Sequence, residues 1–290
     1  MKLLVFGKTG QVARALAASC AREGIEARFL GRAEADLTDP EACARAVEAA
    51  EADAIINAAA YTAVDAAETD RKAAHLVNAE APGAMARAAA AKGVPFLHIS
   101  TDYVFDGAGT RAWREDDPVA PLGYYGQSKL DGEREVLAAG GQAVILRVAW
   151  VYDATAKNFV TAMLRLGATR DVLQVVDDQR GSPTPAWAVA DALIAVARAF
   201  EAGKGVPGLY HFAGAPAVAR NDFAAAILAG TARPPRIEPV ASSAFPTPAA
   251  RPENSVLDCA RIGEVYGIAQ PDWRADVARI AARFQPEAAS

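Results

Sequence analysis

Tyr125 and Lys129 lie four residues apart in the stretch Pro121-Leu-Gly-Tyr-Tyr-Gly-Gln-Ser-Lys-Leu130. On a helix that spacing puts both side chains on one face, so a phenol and an ammonium can enter the same site. The neighbouring Tyr124 has Ser128 at that spacing instead. A phenol beside an ammonium suits the reduction of a ketone. Hydride addition to a carbonyl carbon builds negative charge on the oxygen, and a proton must reach that oxygen. A tyrosine ordinarily holds its proton up to pH ~10, and a nearby cation favours the phenolate and lowers that value. Acid catalysis of this kind is worth about 10²–10⁴-fold. Thr101, 24 residues before Tyr125, adds a hydroxyl that can hydrogen-bond the carbonyl oxygen. Tyr-x-x-x-Lys by itself is common on exposed helices, so its meaning depends on the elements around it.

Those elements alternate. Short apolar runs at Lys2–Phe6, Glu26–Leu30, 53–57, 95–99 and Ala143–Val148 predict strands. Ala-rich stretches between them, at 11–22, 40–49, a long one ending near Ala91, and 122–138, predict helices. Continuous apolar strands alternating with helices imply a parallel sheet covered on both faces, an α/β doubly wound, Rossmann-like fold. Thr101 then falls at a strand's C-terminal end, where active-site groups of such sheets gather. Beyond about residue 150 the pattern loosens. Strand-like pieces are expected at Val172–Val176 and 208–212, and helices at 158–166, 188–200 and 221–228. A Pro- and Ser-rich loop is expected from 241 to 252. The division expected is a dinucleotide-binding domain over 1–150, with later segments returning to its sheet. A smaller α/β substrate-binding lobe occupies most of 151–290.

The first strand–helix turn reads Gly7-Lys-Thr-Gly10-Gln11-Val12-Ala13. Small residues there let the backbone approach a diphosphate, and the helix N-terminus offers free N–H groups. The second strand ends in Phe29-Leu-Gly-Arg32, without the carboxylate that would bind a ribose 2′-hydroxyl, so Arg32 favours a 2′-phosphate and hence NADPH, with NADH possible. Asp36 and Leu37 suit the adenine edge. Asn57-Ala-Ala-Ala60-Tyr61-Thr62 closes the third strand with small residues over which a cofactor can lie.

The rest of the chain narrows the classes. A net charge of −5 over 290 residues argues against a nucleic-acid partner. The N-terminal apolar run is too short for a signal peptide, and no window reaches the ~18 apolar residues of a membrane span. Cys20, Cys43 and Cys259 are isolated, without CxxC spacing, which fits a reducing cytoplasm better than a disulfide framework or a zinc site. His75, His98 and His211 lack metal-ligand spacing and are expected to be structural; no metal site is expected. Asp65, Glu68 and Asp70 read as a solvated helix start.

Taken in order, Gly7–Val12, Asn57–Asp65, Ser100-Thr-Asp-Tyr-Val-Phe-Asp-Gly107, Tyr125–Lys129, Arg147-Val-Ala-Trp-Val-Tyr152, Asp178–Thr184 and Arg251-Pro-Glu-Asn-Ser-Val-Leu257 resemble the extended short-chain dehydrogenase/reductase superfamily. Within it they are most similar to the dTDP-4-dehydrorhamnose reductases. That resemblance implies reduction of the C4 ketone of a dTDP-4-dehydro-L-rhamnose with NADPH. Tyr125 would be proton donor, with Lys129 tuning it and holding the nicotinamide ribose, and Thr101 would polarise the ketone. Gly10, Gln11, Val12, Asp36, Leu37, Ala60, Tyr61 and Thr62 would line the cofactor. Thr101, Asp102 and Trp150 would contact the sugar nucleotide, with Arg251 at its diphosphate. Some members form dimers bridged by Mg²⁺ through carboxylates, one of them on the first helix. Here that helix reads Arg14-Ala-Leu16, so a Mg²⁺ bridge is doubtful and a monomer or a homodimer is open. An epimerase or dehydratase on the same scaffold and a non-catalytic NADP-binding regulatory subunit are the competing readings. The intact Tyr125/Lys129 pair argues against the last.

Overall fold

The computed structural model describes residues 1–284. The first part alternates β1 (Lys2–Phe6), α1 (Gln11–Glu23), β2 (Glu26–Leu30), α2 (Pro40–Glu48) and β3 (Ala54–Asn57). It continues through α3 (Arg71–His75), α4 (Ala81–Lys92), β4 (Phe96–Thr101), α5 (Tyr124–Ala138) and β5 (Ala143–Val148). After β5 come β6 (Val151–Tyr152), α6 (Phe159–Gly167), β7 (Val172–Val176), β8 (Arg180–Gly181), β9 (Thr184–Pro185), α7 (Ala186–Glu201) and β10 (Gly208–His211). The chain ends with β11 (Val218–Ala219), α8 (Arg220–Leu228), β12 (Arg236–Val240), α9 (Ala260–Tyr266) and α10 (Trp273–Arg283).

The main sheet has six parallel strands in the order β10-β5-β4-β3-β1-β2. Its direction of growth reverses beside β1, whose Phe6 is paired with Leu30 on one side and Asn57 on the other. Alternate residues of β1 serve opposite faces. Leu3 and Val5 join Leu16 of α1 and Leu193 of α7 in one apolar layer. Leu4 and Phe6 join Val47 of α2 and Met85 of α4 in the other. Burial on both faces is why the central strands β1 and β3 read as apolar runs, whereas the edge strand β2, Glu-Ala-Arg-Phe-Leu, buries only Leu30.

Two late segments belong to this sheet. The β10 strand pairs with β5, and α7 lies against α1, its Ala188, Val189, Leu193 and Val196 all buried. A smaller lobe is built from α6, β7, α8, β12 and α10 around Phe223, with Leu164, Leu173, Ile227, Trp273 and Val277. Three late elements are not legible as periodic runs. The β12 strand, Arg-Ile-Glu-Pro-Val, is nowhere fully buried and carries a proline, as an edge strand can. The α9 and α10 helices bury narrow stripes between arginines, alanines and acids.

The expected long helix ending near Ala91 is broken. Residues 58–65 form a loop, Ala66–Glu68 a 3₁₀ turn, and Leu76–Glu80 a π-turn between α3 and α4. A π-turn inserts one residue into the ladder and frequently marks a functional position. Here it turns Asn78 inward, where it is fully buried.

Candidate active site

The α5 helix carries Tyr125 and Lys129, and its approach to the sheet is set by two glycines. A Cβ on Gly126 would lie 2.2 Å from the Tyr103 carbonyl oxygen, and one on Gly132 would lie 2.0 Å from that of Asn78. Any larger residue would push the helix away from the ends of β4 and of the π-turn. The start of α5 is held by Glu68, whose Oε1 accepts from Tyr124 N–H at 2.7 Å, an acid at the positive end of a helix. Further along, Glu133 accepts two hydrogen bonds from Arg147 of β5, at 2.8 and 2.7 Å, and one from Ser100 Oγ of β4. This buried fork clamps α5 to the two strands below it.

On that platform the sequence-nominated groups meet. The half-buried Tyr125 side chain sets its phenol beside the Thr101 hydroxyl, and its ring stands edge-on to Tyr103 at 5.5 Å. Burial raises its pKa, the Thr101 hydrogen bond opposes that rise, and Asp102 and Tyr103 add to it. The expected lowering by Lys129 is not seen. Lys129 Nζ donates to the Ile99 carbonyl at 2.7 Å and lies 3.2 Å from His98 Nε2. Burial pushes the lysine itself down to about 8, with Glu133 opposing. Thr101 Oγ1 donates to Asp102 Oδ1 at 2.9 Å, and Asp102 Oδ2 is buried without a hydrogen-bond partner among the described residues. Burial raises the Asp102 carboxyl to about 6.

At the turn between β1 and α1, Gly7 has φ +113°, a conformation that favours glycine, and sits against Ala58 at the end of β3. Gly10 differs. Its φ is −67°, and a Cβ there would meet nothing within 4 Å, so its small size leaves open space in front of the turn. The α1 N-terminus has no side-chain cap and no acid in its first turn, which leaves its N–H groups to a ligand. Val12 is buried in the sheet layer, while the Gln11 side chain reaches across to the Val151 carbonyl and to Asn158. Asp36 Oδ1 accepts from Thr38 N–H, and Leu37 is buried in the layer with Phe6 and Leu30. Arg32 is 84% exposed, 3.8 Å from Asp36. The expectation that no carboxylate stands at the end of β2 needs correction. Glu34 folds back to accept from Gly31 N–H at 2.9 Å and pairs with Lys8 at 3.1 Å. A three-residue reach from loop to strand end is invisible to a reading of strand residues. Ala60, Tyr61 and Thr62 form the loop after β3, pinned by Asn78, which accepts from Tyr61 N–H at 2.8 Å and donates to Tyr61 O at 3.0 Å.

Just beyond β5, Trp150 has φ +45°, rare for a bulky residue, and its indole lies where a Cβ on Gly181 would be. The Arg220 guanidinium stacks on this indole, 3.5 Å from the ring centroid, and feels Asp102, Tyr103 and Arg251. Among the described residues no carboxylate pairs with it. The sequence reading passed over Arg220, whose only local signal is its place at the start of α8. Arg251 is committed to Asp65 Oδ2 at 2.9 Å and to the Ala249 carbonyl. Asp65 and Glu68 are therefore tethers between segments distant in sequence rather than a solvated helix start. Arg14 donates to Asp153 at 2.5 Å. Among the described residues no group of three or more His, Cys, Asp or Glu side chains is placed to hold a metal ion, and no helix is long and apolar enough to cross a membrane.

A family profile described as the RmlD substrate binding domain matches residues 1–285. The dTDP-4-dehydrorhamnose reductase of Burkholderia thailandensis is 46% identical over 94% of this chain and 96% of its own. The chain belongs to the dTDP-4-dehydrorhamnose reductase family. The family member of Escherichia coli K12 is 38% identical over 97% of each chain. A crystal structure of the family from Clostridium acetobutylicum superposes with a TM-score of 0.90 at 32% identity, covering 97% of this chain and 98% of that one. One from Bacillus anthracis, in complex with NADP, has a TM-score of 0.89 at 29% identity, covering 96% and 98%. A UDP-glucose 4-epimerase from Brucella ovis shares the fold alone, at 18% identity. Like its relatives in the family, the chain has the Rossmann-type sheet of the extended short-chain reductases.

Proposed function

We propose that this protein reduces the C4 ketone of dTDP-4-dehydro-β-L-rhamnose with NADPH to give dTDP-L-rhamnose, a precursor of cell-surface polysaccharide. The observation that carries this reading is the meeting of Tyr125, Thr101 and Lys129 at the end of β4, on the side of the sheet where the uncapped α1 N-terminus opens. The family's printed activity, and the NADP held by a relative, support it.

The residues fit a nicotinamide dinucleotide. Gly7, Gly10 and the first N–H groups of α1, from Gln11 and Val12, suit its diphosphate. Ala60, Tyr61 and Thr62 suit its path across the sheet edge, Asp36 and Leu37 its adenine end, and Lys129 its ribose. Lys8 and Arg32 flank the end of β2 and favour a 2′-phosphate, with Glu34 as the counterweight. When bound, the reduced nicotinamide supplies hydride to the ketone carbon. Tyr125 holds a proton for the ketone oxygen, because burial keeps its phenol protonated until a stronger base is presented. Thr101 aligns that oxygen with the phenol. Asp102 and Trp150 face the sugar. Arg220, stacked and unpaired, is the better placed cation for the substrate diphosphate, with Arg251 behind it. By this reading residues 1–150, with α7 and β10, carry the cofactor, and the remaining late segments carry the sugar nucleotide.

Loss of NADPH absorbance on mixing protein, NADPH and dTDP-4-dehydro-L-rhamnose, with one dTDP-L-rhamnose formed per NADPH consumed, is the expected result. No consumption at any protein level would overturn the reading. In the same assay Arg32→Ala raises the KM for NADPH more than that for NADH. An unchanged ratio removes Arg32 from the cofactor site.

A further inference from the structure

His98 is fully buried on β4, one strand position before Ile99, with Phe96 stacked beside it. Its two ring nitrogens face two side chains, Asn57 at the end of β3 and Lys129 on α5. The orientation of the Asn57 amide is fixed, because its Oδ1 accepts from Ala59 N–H at 3.1 Å. That leaves Asn57 Nδ2, which only donates, facing His98 Nδ1 at 3.1 Å. Nδ1 must therefore accept, and a neutral imidazole then carries its proton on Nε2. That N–H points at Lys129 Nζ, 3.2 Å away. An ammonium has no lone pair to receive it, whereas the free amine does.

We propose that His98 is a positioning residue whose Nε2–H donates to the Lys129 amine, so that the hydrogen-bond chain from β3 disfavours the charged lysine. This rests on the reading of Tyr125 and Lys129 as the reducing pair. The chain runs in one direction, from Ala59 N–H through Asn57, His98 and Lys129 to the Ile99 carbonyl. The other titratable groups around it are accounted for. Glu133, one turn along α5, favours the ammonium, but its carboxylate is taken up by Arg147 of β5 and Ser100 of β4. Tyr125 lies one turn back on α5 and is protonated. His211 of β10 lies beyond Arg147. Burial and Lys129 together push His98 well below the ordinary histidine range, so it stays neutral while Lys129 titrates near neutrality. Lys129, one turn along α5 from the phenol, is thereby placed on a pH-sensitive footing by a residue that reaches the pair through the lysine.

Two measurements test this. The protein has three histidines, so ¹⁵N-imidazole labelling with His98→Gln for assignment reads the tautomer directly in the wild type. The Nε2–H form at pH 7–9 is expected, and an Nδ1–H form overturns the proposal. The second measurement is the pH profile of kcat/KM for the reduced cofactor, which reports groups of the free enzyme. In His98→Gln the amide oxygen can accept from the ammonium, so the basic limb moves up by about one pH unit. A limb that stays in place in a variant with an unchanged melting temperature also overturns it. Should the reductase reading itself fail, the pH profile vanishes while the tautomer measurement still decides the role of His98.

Discussion

Tyr125, half-buried, and Asp102, buried, are acids pushed in the same direction by the same cause. Loss of hydration disfavours each charged form, so the phenol and the carboxyl both hold their protons more tightly than in water. In the proposed reaction this keeps the Tyr125 proton in place for delivery. Tyr125→Phe is expected to lower kcat by about 10²–10⁴-fold with the Kd for NADPH unchanged, as measured by steady-state kinetics and cofactor fluorescence. Tyr124→Phe, one position off the catalytic face, should leave kcat intact. For Asp102 the same burial has a stability consequence. Its folded-state value of about 6 lies above the ordinary 3.8. The folded chain therefore binds more protons between those values, and stability falls as pH rises through about 4 to 6. Asp102→Asn keeps the oxygen that accepts from Thr101 and removes the charge. Its unfolding free energy, from denaturant titrations, should match that of the wild type below pH ~4 and exceed it above pH ~6, by up to about 3 kcal/mol.

The α5 helix converts these residue properties into a site. Its sequence, Tyr-Tyr-Gly-Gln-Ser-Lys-Leu-Asp-Gly-Glu, shows the shared face of Tyr125 and Lys129, and that much is helix geometry. Where the helix sits is decided by contacts with residues distant in sequence: Gly126 on Tyr103, Gly132 on Asn78, Glu68 on its N-terminus and Glu133 on Arg147. Removing one partner of a buried ion pair leaves the other charge uncompensated, at a cost of about 3–5 kcal/mol. Glu133→Ala should lose that much in urea denaturation and lose activity with it. A paired replacement, Glu133→Leu with Arg147→Met, should recover most of the stability. The long helix expected before β4 shows the limit of periodicity. Alanine-rich segments such as Arg71–Lys92 satisfy a helical pattern in any register, so the π-turn that buries Asn78 leaves no mark in it.

Across the whole molecule, the substrate end is assembled by folding rather than by local pattern. Trp150 follows β5, Arg220 opens α8, and Asp102 follows β4, yet the guanidinium stacks on the indole and senses the carboxylate. Replacing a charge-assisted hydrogen-bond donor costs ~1.5–3 kcal/mol, or about tenfold to a hundredfold in affinity. Arg220→Gln should accordingly weaken dTDP binding by that factor in calorimetry, while NADPH binding and the affinity for thymidine, which lacks the diphosphate, stay unchanged. Equal weakening of thymidine would assign Arg220 to shaping the pocket instead.

Parallel strands buried on both faces are mostly apolar, and the turn between β1 and α1 has to be small. The doubly wound sheet, its glycine turn and the spacing of Tyr125 and Lys129 are therefore legible in composition and order alone. The partners of charged groups are not. Glu34 folding back on Gly31, Glu68 on α5, Asp65 on Arg251 and His98 between Asn57 and Lys129 are each fixed by distances in space between residues up to 186 positions apart. A hydrogen bond depends on a few tenths of an ångström and on direction, and neither is encoded in any local period. The residues proposed for the chemistry could be named along the chain. Their protonation, and the choice of Arg220 as the cation proposed for the diphosphate, followed only from packing α5 and α8 against the ends of the strands.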